Sequence, residues 1–172
     1  MIECDDFIES VESWICHPLS INNDHLLGAL VTLRLLTSTT LSLMSSQRKH
    51  GKPTTKDGLM PFISILNRRI DTWKHKWAGT SGSRTDADEE SCHEFLINFY
   101  GCHLRLQLSS MQLQPASVQG SSEGPDLDIL WMAYSSALCM LQMIPQHPHH
   151  LSFAQDSVHV MLAYCAAFLV RV

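Results

Sequence analysis

The pattern of apolar and polar positions predicts helices throughout the chain. The clearest case is residues 59–78, where large apolar side chains recur every three or four residues and therefore share one helix face. The members of this stripe are Leu59, Phe62, Ile63, Leu66, Ile70, Trp73 and Trp77. No stretch shows the strict alternation of a half-buried strand. We therefore predict an all-α protein.

Similar patterns predict the rest of the architecture. Further helices are expected at residues 5–16, 22–44, 92–113, 126–144 and 156–170. The polar stretches between helices predict three flexible linkers, at residues 45–58, 79–91 and 114–125. The result is an irregular multi-helix array of about six helices joined by polar loops. We expect it to form a single domain over residues 1–172.

The last helix is the most apolar one. From Val158 to Val170 only His159 and Tyr164 interrupt its apolar surface. A helix that is apolar all round must be enclosed by other elements, so we expect this one to be the central helix of the domain. No glycine, asparagine or proline closes its last turn. We therefore expect the chain to be a truncated piece of a longer domain.

Composition and charge exclude several classes of protein. The chain has 172 residues, a net charge of −5 and six scattered cysteines. An acidic balance argues against a nucleic-acid-binding module. The first residues lack the basic and apolar regions of a secretion signal, and no apolar run reaches the ~20 residues of a membrane span. The cysteines are therefore expected to be reduced thiols of the cytosol or nucleus.

The sequence contains no recognisable active site. No cysteine has the histidine and orienting group that a nucleophile requires, and no glycine-rich phosphate loop is present. The pairs Cys92-His93 and Cys102-His103 lie about 15 Å apart along a helix axis, too far to share one metal ion. We predict a non-enzymatic chain without a cofactor or metal site. A small helical enzyme or metal protein remains an alternative, and it would require convergence of His147, His149, His150 and His159.

Four aromatic residues form the candidate apolar surface. Trp73 and Trp77 are one turn apart, and Phe99 and Tyr100 follow on the next predicted helix. Such residues can line an apolar ligand pocket. Stripes of this kind more often pack in a core, where the indole N–H groups also need partners. We therefore name these four residues as an apolar ligand or packing surface, with packing favoured.

Three ordered segments carry a family resemblance. The W-x-x-x-W pair of Trp73 and Trp77 is followed by FYGCHLRLQL, beginning at Phe99, and then by FAQDSV, beginning at Phe153. This set, spanning residues 59–172, resembles the regulatory middle homology domain of fungal zinc-cluster transcription factors. Gln155 stands where that family usually has proline.

The resemblance implies a nuclear, all-helical domain that modulates transcription through helix-mediated protein contacts and, in some members, through sensing a small effector. The zinc-binding DNA module of the family has closely spaced cysteines, which this chain lacks. Zinc and DNA binding are therefore expected only in a missing upstream module. We expect protein partners or self-association through exposed apolar surface, and no membrane or direct nucleic-acid contact. The alternative is a stand-alone helical domain for small-molecule sensing or protein interaction.

Overall fold

A computed structural model describes residues 10–49, 56–78, 87–113, 126–148 and 156–171. These residues contain six α-helices and no strand, which confirms the all-α prediction. The helices are α1 (Val11–Trp14), α2 (Asn22–Lys49), α3 (Lys56–Ala78), α4 (Ala87–Leu113), α5 (Leu127–Met143) and α6 (Asp156–Arg171). Within the described ranges, no helix has the length and apolar character needed to cross a membrane.

The chain divides into two compact units, Met1–Ile97 and Asn98–Val172. The boundary falls within α4. In the first unit α1 packs on α2, and α2 packs on α3. In the second unit α5 packs on α6.

Two of the predicted linkers are partly helical. The helical residues are 45–49 and 56–58 of the first predicted linker and 87–91 of the second. The third predicted linker, residues 114–125, lies outside the described residues.

The threonine-rich part of α2 stays helical. Each of three hydroxyls donates to the backbone carbonyl one turn earlier: Thr37 to Leu33 (2.8 Å), Thr39 to Leu35 (2.9 Å) and Thr40 to Leu36 (2.8 Å). Threonine and serine weaken helices when their hydroxyls compete for backbone groups in other conformations. Here the helix itself supplies the acceptors, so the run does not end it.

The core of the first unit follows the predicted stripe of α3. Its buried members are Ile63, Leu66, Ile70, Trp73 and Trp77. The indole N–H of Trp73 donates to the Ala29 carbonyl at 3.0 Å and to the Thr32 hydroxyl at 3.1 Å. These two hydrogen bonds fix the register of α3 against α2, because a buried indole N–H needs a partner.

The packed face of α2 includes small residues, although the helix is rich in leucine. Gly28, Ala29 and Leu33 are buried, whereas Leu27 is exposed. Leucines lie around much of this helix, so sequence alone does not select a face. The large indoles of α3 pack where α2 carries its smallest residues.

The side chains of Ile15 and Trp77 approach α2 closely at Gly28. A Cβ atom placed there would lie 3.1 Å from Ile15 Cγ2 and 3.1 Å from Trp77 Cη2. Glycine costs up to about 1 kcal/mol in a helix interior. The contact with the buried Trp77 ring explains why a small residue occupies this position.

Helix α4 is buried on two opposite sides. At 3.6 residues per turn, its buried positions fall into two groups about half a turn apart. One group is His93, Ile97, Leu104 and Leu108. The other is Phe95, Phe99, Cys102, Leu106 and Ser109. Packed neighbours must therefore cover both sides of α4.

The C-terminal helix is not the enclosed central helix that we expected. Of the positions in α6, only Val158 and Cys165 are buried, and they lie two turns apart on one side. Val160 is 67% exposed and Val170 is 87% exposed. Alanines occupy much of the remaining outer surface, and a methyl group left in water costs far less than a leucine side chain. The helix is therefore stable with one side covered.

The ends of α5 agree with the sequence. Asp126 is its N-cap, and the Asp126 Oδ1 atom accepts a hydrogen bond from the backbone N–H of Asp128 at 3.0 Å. The helix ends at Met143, with Ile144 as the C-cap residue directly before Pro145. Capping is thus the observed role of the Asp126 carboxylate.

The contact at Gly28 predicts the effect of a larger residue. We expect Gly28→Val to lower the free energy of unfolding by about 1–3 kcal/mol, because its side chain would overpack against Trp77 and Ile15. Ser38→Val is the matched control, since Ser38 is exposed on the same helix. Its effect should stay within about 0.5 kcal/mol. Urea denaturation measures both, and equal effects of the two substitutions would contradict the packing argument.

Candidate interaction surface

The four aromatic residues named from the sequence lie in two different units. In the first unit Trp73 and Trp77 are buried, and in the second Phe99 is buried. Tyr100 is half-buried, and its hydroxyl lies 3.0 Å from that of Ser157. Burial gives Trp73, Trp77 and Phe99 a packing role. Ligand binding by any of the four stays a prediction.

The histidine-rich candidates do not form a metal site in the part of the chain that the structure describes. No group of three or more histidine, cysteine, aspartate or glutamate side chains converges there. His149 and His150 lie outside the described residues. His93, from the Cys92-His93 pair, is buried, with Nε2 at 3.3 Å from Asn23 Oδ1. Its closest described polar partner is therefore an amide oxygen.

His25 lies beside Trp77 in the first unit. The two ring centroids are 4.9 Å apart in an edge-to-face arrangement. Burial, with a smaller contribution from the nearby His93, lowers the pKa of the His25 imidazole below its ordinary value of 6.5. The neutral ring is therefore the form that fits this packed position.

His103 occupies a comparable position in the second unit. Its ring lies edge-to-face on that of Tyr164, with centroids 5.8 Å apart. The Nδ1 atom is buried and has no hydrogen-bond partner among the described residues. Burial lowers the pKa of the His103 imidazole below 6.5. The sequence analysis considered this histidine only as part of the Cys102-His103 pair, which lies too far from Cys92-His93 to share a metal ion with it.

The outer face of α6 is exposed, whereas the sequence predicted that this helix is enclosed on all sides. We define this face by Val160, Ala163, Ala167 and Val170, all of which are exposed. They are spaced three, four and three residues apart, which places them in one straight stripe along the helix. This spacing is typical of a helix that packs against another helix. The spacing is present in the sequence, but the apolar character of the whole helix predicts an enclosed surface instead.

Opposite charges stand at the two ends of this stripe. Asp156 opens α6 and Arg171 closes it, and both side chains are exposed. At 100° per residue both lie on the same side of the helix as the outer face. Each charge also complements the helix dipole at its own end. The face is therefore apolar in the middle, acidic at one end and basic at the other.

A second outward stripe lies on α5. Leu127 and Trp131 are exposed, the latter by 69%, and the ring of Trp131 stacks on Tyr134 at 5.8 Å between centroids. A tryptophan that is mostly in water is unusual for this residue type, which is enriched at protein interfaces. Sequence reasoning assigned no function to Trp131.

The contrast between buried and exposed tryptophans predicts different substitution effects. We expect Trp77→Ala to cost about 3–5 kcal/mol of stability, because it leaves a large cavity beside Gly28. Trp131→Ala is the matched control, and its effect should stay below about 1 kcal/mol. Chemical denaturation followed by circular dichroism measures both. If Trp77→Ala is as mild as the control, Trp77 has no core-packing role.

The two half-buried imidazoles, His25 and His103, predict loss of stability in acid. Their folded-state pKa values lie below 6.5, so the unfolded chain binds more protons as the pH falls below about 6.5. Stability should therefore be highest above neutral pH and should fall between pH ~7 and ~5. We expect His25→Gln and His103→Gln each to reduce this decline, measured by urea titration at both pH values. The same change at the exposed His159 is the control, and an equal decline in all variants would contradict this assignment.

The family resemblance rests on the ordered sequence motifs. No protein-family model, curated protein or solved structure matches the chain. Membership in the fungal transcription-factor family therefore stays a prediction, and the outer face of α6 is the stronger basis for a functional hypothesis.

Proposed function

We propose that this chain is a non-enzymatic helical regulatory domain that acts through protein contacts. The observation that supports this proposal best is the outer face of α6, an apolar stripe bounded by Asp156 and Arg171 and left in water. Exposed apolar stripes rimmed by polar residues are typical of protein interaction sites. The exposed Trp131 on α5 is consistent with the same role.

The occupant that fits the outer face of α6 best is a second copy of α6 in antiparallel orientation. Asp156 and Arg171 are fifteen residues apart, about 22 Å along the helix. Reversing one helix brings the acidic end of each copy level with the basic end of the other. The result is a two-fold symmetric contact with two equivalent charge pairs.

The middle of the stripe favours close packing of two helices. Ala163 and Ala167 are small, so the helix backbones can approach closely, while Val160 and Val170 supply most of the buried apolar area. Antiparallel packing also opposes the two helix dipoles. A parallel pair would instead place like charges together at both ends. The helix dipoles and the end charges therefore favour the same antiparallel orientation.

The resemblance supplies the biological setting of the proposal. It suggests a nuclear regulator of the fungal zinc-cluster type, in which this domain would modulate transcription without contacting DNA itself. A net charge of −5 agrees with the absence of DNA contact. Self-association would set how many copies of a larger regulator act together. Nuclear localisation belongs to the same proposal.

The charge arrangement predicts a restoration experiment. We expect the wild-type chain to dimerise in a concentration series followed by sedimentation velocity. Asp156→Arg and Arg171→Asp should each weaken dimerisation several-fold, because each places like charges together. The double variant should recover affinity. Val160→Glu should abolish dimerisation, because it places a charge on an apolar position that the contact would bury.

A purely local effect on the helix ends would give a different result. Each reversed charge also opposes the dipole of its own helix, and these losses would add in the double variant. Affinity that falls further in the double variant would therefore refute antiparallel pairing. Gln142→Glu, at an exposed site on α5, is the matched charge control and should leave dimerisation unchanged. A wild-type chain that stays monomeric at every concentration would refute self-association through α6.

A further inference from the structure

Two thiols from different helices meet inside the second unit. Cys102 lies on α4 and Cys139 on α5, and their Sγ atoms are 3.3 Å apart. A disulfide bond is about 2.05 Å long. The two sulfurs must therefore approach by little more than 1 Å, a distance within the range of small side-chain rotations. Both cysteines are reduced in the structure.

The two thiols differ in access to solvent. Cys102 is only 5% exposed, whereas Cys139 is partly exposed. A small oxidant can therefore reach the sulfur of Cys139 more readily than that of Cys102. Cys102 is held beside it, which is the arrangement of a peroxide-reactive cysteine with a resolving partner.

Two of the other described cysteines, Cys16 and Cys165, have backbone carbonyls as their partners. Cys165 is buried, and its Sγ donates to the Ala137 carbonyl at 3.2 Å. Burial also raises the pKa of the Cys165 thiol, which lowers its thiolate fraction. Cys16 is exposed, and its Sγ donates to the Glu12 carbonyl at 3.3 Å. Cys92 lies ten residues before Cys102, about 15 Å away along the helix axis.

We propose that Cys102 and Cys139 form a peroxide-sensitive dithiol that closes to a disulfide between α4 and α5. The peroxide transfers one oxygen atom to the Cys139 sulfur, which gives a sulfenic acid and releases an alcohol or water. The Cys102 sulfur then attacks the Cys139 sulfur. The S–S bond forms, the S–O bond breaks, and the hydroxide that leaves takes up the thiol proton as a water molecule. The two sulfurs lose two electrons in total, and the peroxide O–O bond accepts them.

The disulfide would raise the stability of the second unit against unfolding. It would covalently tie α4 to α5 across a loop that includes residues 103–138. Closing a loop of this length restricts the unfolded chain, so the oxidised form should unfold at a higher temperature. Reduction by a dithiol reagent should reverse the change.

Peptide mapping of the full chain after hydrogen peroxide treatment tests this assignment. Trypsin leaves Cys92 and Cys102 together in residues 85–105, and leaves Cys139 and Cys165 together in residues 106–171. Serine variants at the four positions therefore identify the bridge. We expect a reducible link between the two peptides that is lost in Cys102→Ser and Cys139→Ser. The link should persist in Cys92→Ser and Cys165→Ser.

Two further measurements keep the proposal falsifiable. Circular dichroism checks that each variant is folded, and Cys102→Ala and Cys139→Ala replace any serine variant that is not. Melting of the wild-type chain before and after oxidation should show an upward shift of several degrees, absent from the Cys139 variant. A link that survives removal of either Cys102 or Cys139 would overturn the proposal. So would wild-type protein in which peroxide oxidises Cys139 without forming the link.

Discussion

The burial of α4 on two opposite sides is the constraint on which the rest of the structure depends. Aromatic and aliphatic side chains project from both sides of this helix, and neither set can be left in water without a large cost. Each side must therefore be covered by packed neighbours. In the second unit, α6 also provides hydrogen-bond partners for α4, in the pairs Tyr100–Ser157 and Ser110–Tyr164.

Helices α4, α5 and α6 are all rich in apolar residues, yet among their described residues only those of α4 are buried on two sides. Enclosing a helix requires neighbours on all sides, and a chain of this size supplies few of them. Helix α6 is the one best suited to an exposed position, because alanines replace leucines along its outer face. The small side chains limit the cost of exposure and at the same time leave a surface on which another helix can pack closely.

The sequence predicted those features that depend on neighbouring residues along the chain. The apolar stripe of α3, the cap at Asp126 and the end of α5 before Pro145 all follow from local spacing and backbone chemistry. The packed face of α2 did not follow, because leucines lie around much of that helix. The packed face is determined by two contacts with α3. The Ala29 carbonyl accepts a hydrogen bond from Trp73, and the ring of Trp77 lies beside Gly28.

The exposed stripe and the thiol pair escaped sequence reasoning for a related reason. Periodicity identifies apolar positions, but it does not count the neighbours available to cover them, so α6 was expected to be enclosed. Cys102 and Cys139 are 37 residues apart, and nothing in their spacing indicates contact. Their proximity follows from the way α4 and α5 pack, which is a tertiary property. Both candidate sites therefore depend on tertiary packing. The thiol pair lies where α4 and α5 are in contact, and the exposed stripe lies on the side of α6 that no described residue covers.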